Sequence, residues 1–193
     1  MASFPALPAR SFCLIRHGET TANRDEIIAG RLDVALTDLG RQQASLLKEI
    51  SFPEPITLFC SPMDRAIKTA SLGFHDTTAQ VVPDLRERDW GVFEGRPLSE
   101  LPPRDSTPPQ GEGWRDMILR VHAAITWCCT QSQGALPVLV CHSGVIRATR
   151  LLAQQTGVGT RPANATPILF EHHSGKHIEQ WPDHSGANTA RLR

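Results

Sequence analysis

The sequence predicts an α/β fold: a three-layer sandwich whose mostly parallel central sheet is flanked by helices. Two observations predict it. Short apolar runs alternate along the chain with segments of helical periodicity, the pattern of strand–helix–strand units. Three of those runs, in LIRHG, LFCSPMDR and LVCHSG, stop abruptly at chemically loaded residues. Ligands of open parallel sheets bind beyond the carboxyl ends of the strands, so three such endings point to one shared site.

The elements follow in order. SFCLIR (11–16) reads as the first strand, and a loop runs through GETTANRDEIIAGRLDVAL (18–36). Thr37 is placed to N-cap an amphipathic helix over 38–50, with Leu39, Ala44, Leu46, Leu47 and Ile50 on its apolar side. FPEP (52–55) breaks it. ITLFCSP (56–62) is a second strand and MDRAIKTASLGF (63–74) a second helix, with Gly73 near its end. AQVVPDL (79–85) reads as a third strand. The stretch 86–113 is rich in Pro, Gly and charge and too long for a simple connection, which marks a functional cover. WRDMILRVHAAITWCCTQ (114–131) is helical, ALPVLVCHSG (135–144) is the most apolar strand, and VIRATRLLAQQTG (145–157) is the helix after it. TPILFEHH (166–173) and KHIEQW (176–181) form a closing hairpin through SGK. The sequence holds no internal repeat.

Bulk properties narrow the function classes. A chain of 193 residues predicts a single domain over 1–193, with a mobile cover segment near 95–113. Formal net charge is zero, which argues against a generic binder of nucleic acid or membrane surface. Positive charge is mostly arginine, with lysine only at Lys48, Lys68 and Lys176, and the guanidinium fork suits planar anions. The five cysteines are too irregularly spaced for a disulfide framework; Cys13, Cys60 and Cys141 fall in apolar runs where a thiol is a small hydrophobe. MASFPALPARSF lacks the apolar core of a signal peptide, and no stretch reaches transmembrane length. A cytoplasmic protein is expected.

Phosphoryl transfer without a metal needs a nucleophile, cations for the non-bridging oxygens and an acid for the leaving oxygen. The chain supplies each. His17 can attack phosphorus, because a neutral imidazole keeps a lone pair at physiological pH. Arg16, Arg65 and His142 could surround a phosphate. Glu87 is a candidate proton donor, with Asp89 of the same chemistry two residues on. A rival is a zinc site from Cys13, His17, Cys60, Cys141 and His142, but these five carry no CxxC or HxxxH spacing and the arginines would repel a cation.

RHGETTAN resembles the signature of the histidine phosphatase superfamily, with its phosphoglycerate-mutase-like fold. GRLDVALTDLGRQQA resembles the segment after the nucleophile loop, CSPMDRAIKTA the second arginine motif, and LRERDWGVFEG the acid motif. VLVCHSGVIRATRLL resembles the second histidine motif and NATPILFEH the late strand, and all run in family order from Phe12 to Trp181. The resemblance implies that His17 is the nucleophile and forms a phosphohistidine. It implies that Arg16, Arg65, His142 and Ser143 hold phosphate with Asn23, and that Glu87 protonates the leaving oxygen and then activates water. No cofactor and no metal are implied; the partner is a small phosphate ester, with oligomeric state open and a homodimer among the options.

Members of the family that act as mutases carry extra segments after the acid motif, and FEGRPLSELPPRDSTPPQGEGW does not resemble them. A shorter, wetter cover favours hydrolysis, so a phosphatase is expected, with a phosphomutase or a catalytically dead phospholigand-binding module as alternatives. GEGWRDMILRV resembles the corresponding segment of alpha-ribazole phosphatases, which makes alpha-ribazole phosphate one candidate substrate and would place Glu112 and Trp114 on the pocket. Departures from the family pattern fall at Lys68, where glutamine is frequent, at Ser143, where glycine is frequent, and at Thr21–Ala22, which lack a frequent tryptophan.

Overall fold

Alternate residues of the first strand, β1 (Phe12–Arg16), face opposite ways. Phe12 and Leu14 enter one apolar cluster, Cys13 and Ile15 another. The same alternation divides β2 (Ile56–Cys60) and β4 (Leu136–Cys141): Phe59, Leu139 and Cys141 go to the first cluster, Leu58, Cys60, Val138 and Val140 to the second. Strands with both faces apolar must be covered on both faces, which makes three layers. In this computed structural model, which describes residues 4–52, 55–154 and 159–180, the layers are complete. One face is covered by α4 (Trp114–Gln131) and α5 (Ser143–Leu152), through Met117, Ile118, Val121, Val145 and Ile146. The other is covered by α2 (Asp38–Leu46) and α3 (Asp64–Gly73), with Leu47, Ala66 and Ala70 packed inward.

The sheet has six strands in the order β3-β2-β4-β1-β5-β6. β3 is Gln80–Val81, β5 Pro167–His173 and β6 Lys176–Gln180. β1, β2 and β3 run parallel to their neighbours around β4, and β5 alone is reversed against β1. The register sets Arg16 beside Cys141 and Cys60 beside Val140, so three strands end together at one edge. The α/β class and the layers are those the sequence predicts.

Four local expectations change. The loop after β1 contains a short helix, α1 (Thr21–Arg24), held by a reciprocal capping box between Thr20 and Asn23. The helix expected over 38–50 ends its α-helical part at Leu46 and finishes as a 3₁₀ turn, Leu47–Glu49. The strand expected over 79–85 shrinks to two exposed residues, because Pro83 lacks the N–H a ladder needs and instead starts a 3₁₀ turn to Leu85. α5 begins at Ser143, two residues earlier than predicted, which makes His142 its N-cap. Residues 155–157 of the predicted helix, Pro53 and Glu54 of the helix break, Met1–Ser3 and Trp181 lie outside the described residues. Among the described residues, no helix is long and apolar enough to cross a membrane.

Candidate active site

His17, Ser61 and His142 each occupy the first position after a strand: β1, β2 and β4 respectively. Backbone bonds hold these exits in line, with His17 N–H donating to Cys141 O (3.0 Å) and Ser61 N–H to Val140 O (2.9 Å). The turn at Gly18 lies so close to α2 that a Cβ there would stand 2.3 Å from Gly40 O. Gly18 N–H donates to Thr69 Oγ1 of α3 (3.0 Å). The turn after β1 is thereby fixed against both helices of one layer.

His17 is 5% exposed, and its Nδ1 lies 2.7 Å from Gly18 O. A carbonyl only accepts, so Nδ1 carries the hydrogen and Nε2 of the neutral ring keeps its lone pair. Burial, then Arg65, then Arg16 hold the His17 imidazole well below the ordinary value of 6.5. The ring is neutral and nucleophilic at Nε2 around neutral pH.

Arg16 and Arg65 flank it, each with part of its guanidinium already anchored. Arg16 donates to Pro162 O (2.8 Å), and Arg65 donates to Leu32 O (2.8 Å) and Gly30 O (2.7 Å). The buried Nε of each has no protein partner. A buried N–H left without an acceptor is costly, and an anion in the cavity would meet that need. Burial, then Arg161, push Arg16 down to about 10.

His142 is buried outright behind His17, their ring centroids 5.2 Å apart. Its Nε2 lies 2.7 Å from Ser61 Oγ. That hydroxyl already accepts the Met63 N–H (3.3 Å), so its own hydrogen is available to Nε2. With the hydroxyl donating, the ring proton is on Nδ1, which has no protein partner among the described residues. Burial, then Arg65, hold His142 well below 6.5.

Glu87 reaches the cavity from the long connection after β3, and its carboxylate accepts from Arg88 N–H (2.8 Å) and Gly144 N–H (3.1 Å). Glycine at 144 leaves that carboxylate its place: a Cβ there would stand 2.1 Å from Glu87 Oε1 and would have to push it aside. Asp89 is turned away, paired with Arg31 (3.0 Å) and capping Gly91 N–H (2.8 Å). Arg16, His17, Asn23, Arg65, Glu87 and Ser143 thus line one cavity, with His142 directly behind. Asn23 Oδ1 accepts from Asn164 Nδ2 (3.1 Å), which also donates to His17 O (2.8 Å).

Two expected neighbours are not there. Glu112 faces Arg120 in a two-pronged ion pair (2.6 and 2.7 Å), and Trp114 packs beside the guanidinium groups of Arg88 and Arg104. Instead the wall carries residues the motifs did not flag: Trp90, Arg104, Arg147 and Arg161. The cover segment is fastened by Arg88, fully buried between Trp90 and Trp114, which donates to Glu112 O (2.9 Å), Arg104 O (2.7 Å) and Ser106 O (2.6 Å). The zinc alternative fails on placement: the side chains of Cys13 and Cys60 face one sheet layer and that of Cys141 the other. No group of three or more candidate ligands gathers among the described residues.

Comparison with known proteins places this arrangement. A model of the histidine phosphatase superfamily (branch 1) matches residues 12–184. Fructose-2,6-bisphosphatase TIGAR B of Danio rerio is 39% identical over 51% of this chain, and the chain spans 45% of that protein's length. A Yersinia pestis protein named probable phosphoglycerate mutase GpmB is 32% identical over 67% of each chain. Among solved structures, a phosphoglycerate mutase from Thermus thermophilus superposes with a TM-score of 0.71 at 28% identity, covering 87% of this chain and 96% of that one. A provisionally assigned alpha-ribazole-5′-P phosphatase from Escherichia coli shares the fold, with a TM-score of 0.77 at 24% identity over 92% and 96% of the two chains.

Proposed function

The chain belongs to the histidine phosphatase superfamily, and on that premise we propose that it is a metal-independent phosphomonoesterase working through a phosphohistidine on a small phosphorylated metabolite. The observation that carries the reading is His17 itself. It is neutral by burial, has its lone pair on Nε2, and stands between two guanidinium groups with unsatisfied Nε–H donors.

In the first step His17 Nε2 attacks phosphorus as the P–O bond to the leaving alcohol breaks. Glu87, protonated, gives its hydrogen to the departing oxygen. Arg16, Arg65, Asn23 and Ser143 hold the phosphoryl oxygens, and the N-terminus of α5 adds positive potential at the same place. His142 donates from Nδ1. In the second step the Glu87 carboxylate takes a proton from water, the oxygen attacks phosphorus, and the N–P bond breaks. Inorganic phosphate leaves, and Glu87 is again protonated for the next cycle.

Single-turnover labelling with a ³²P-monoester in EDTA tests this: an acid-labile label on His17 is expected. No label with phosphate still bound would identify a binding module, and activity abolished by EDTA would overturn the mechanism. A mutase is the second reading, favoured by the name of the Yersinia relative. Product analysis separates the two, since a phosphatase releases inorganic phosphate whereas a mutase returns the phosphoryl group to another hydroxyl.

A further inference from the structure

Arg104, Arg147 and Arg161 come from three separate places: the cover segment, α5 and the stretch preceding β5. All three line the cavity that holds His17. Five guanidinium groups there face a single carboxylate, that of Glu87. A monoester dianion matches two of these charges and the Glu87 carboxylate a third, so at least two cations remain without a counter-charge.

Other arginines near the cavity are engaged: Arg31 with Asp89, Arg86 with Asp84, Arg120 with Glu112 and Arg150 with Glu179. Among the described residues, the side chains of Arg104, Arg147 and Arg161 have no hydrogen bond or ion pair to the protein, and the buried Nε of Arg147 has no acceptor at all. Clustering them is unfavourable in itself, because the like charges repel. Burial, then the charge of Arg147, push Arg104 down to about 10, and Arg161 opposes the charge of both Arg16 and Arg147. A solubilising role would leave such groups spread over convex surface, each free to snorkel into water. Arg104 is instead held in place, its guanidinium 5.1 Å from the Trp114 ring and its own carbonyl gripped by Arg88. Pre-placed, unpaired donors around a cavity are what recognition of an anion requires.

We propose that Arg104, Arg147 and Arg161 form a second anion subsite beside the phosphate pocket, so that the preferred ester carries a second phosphate or carboxylate group. The assignment rests on the phosphoester reading of the same cavity and narrows its substrate class to double anions.

Binding of non-hydrolysable phosphonates tests it apart from turnover. Propylphosphonate offers one anion, 3-phosphonopropionate adds a carboxylate, and 1,3-propanediphosphonate adds a second phosphonate. Calorimetric titration at low salt should show one or both double anions binding about 10- to 100-fold more tightly than propylphosphonate, the gain of one or two charge-assisted hydrogen bonds. The preferred double anion identifies the second group. Arg104→Gln, Arg147→Gln and the exposed-site variant Arg161→Glu should each shrink that ratio. Equal binding of all three ligands, or variants that weaken all three alike, would overturn the subsite. The label on His17 reports separately: a double-anion preference without label keeps the subsite and ends the esterase reading, and a label without the preference does the reverse.

Discussion

On the cavity floor, Arg16 ends one strand and His17, Ser61 and His142 are the first residues beyond three neighbouring strands. On the wall, Arg104, Arg147 and Arg161 stand on a cover segment, a helix and a connecting stretch. Strand register places the floor to within a residue, because a slip of one position would turn each side chain to the opposite face. Loop conformation and side-chain reach place the wall, and either can change without disturbing the sheet. The division suggests that the reaction is a property of the sheet edge and substrate choice a property of what overhangs it. Changes on the floor should therefore slow every ester alike, and changes on the wall should discriminate among esters.

The largest effect is expected for His17→Ala. Turnover of every phosphomonoester should fall by at least about 10⁴-fold, the scale lost with a covalent nucleophile, and the acid-labile label should vanish. Survival of activity on any ester would break the floor assignment. Glu87→Gln should cost about 10²- to 10⁴-fold on alkyl phosphates, the range for general acid catalysis. The loss should be much smaller on p-nitrophenyl phosphate, whose leaving group needs no proton. A loss independent of leaving group would remove Glu87 from the acid role.

Gly144→Ala adds a methyl group that must displace Glu87. It should cost about 10²-fold with the leaving-group dependence of Glu87→Gln, as misplacement of a catalytic group does. Arg88→Lys probes the wall through its support. Lysine cannot grip three carbonyls at once, so KM for the preferred substrate should rise by about tenfold, the worth of one hydrogen bond to a charged group. Limited proteolysis should open the chain between 101 and 112, and a variant with unchanged KM and unchanged cleavage would show that the clamp does not seat Arg104.

The smallest change is in pH response. Buried neutral His17 and His142 bind fewer protons folded than unfolded between their depressed values and 6.5. Stability from them is full above 6.5 and is lost as pH falls through that value. Thermal melts should be flat above neutrality and decline below 6.5, while His17-dependent labelling should persist past 6.5, because the folded ring is still neutral there.

The floor was legible because its residues lie inside contiguous motifs at strand ends. Much of the wall was not. Arg104 lies in a Pro-rich stretch without periodicity, so nothing in spacing says which way it faces. Arg147 lay inside a quoted motif, but with α5 started at Val145 its face was undefined. From the true start, it lies one turn beyond Ser143 and on the same side. Glu112 was drawn off by Arg120, a partner eight residues away across a helix start. α1 escaped because a four-residue helix has too few positions for a pattern and its capping box uses Asn23 instead of Glu or Gln.

The reversal of β5 has a temporal consequence. Because that strand starts where β1, β2 and β4 end, its approach delivers Arg161, Pro162 and Asn164 to the reacting edge, with Ala165 N–H closing on Arg16 O (2.8 Å). A nascent chain that has emerged as far as Ser143 already carries every group of the floor. It still lacks the carbonyl that steadies Arg16, the amide that ties His17 to Asn23 and two of the three cations of the wall, Arg147 and Arg161. Among the described elements the pocket is therefore finished by β5, and competence to hold phosphate should switch on late in synthesis, once Pro167–His173 can pair with β1.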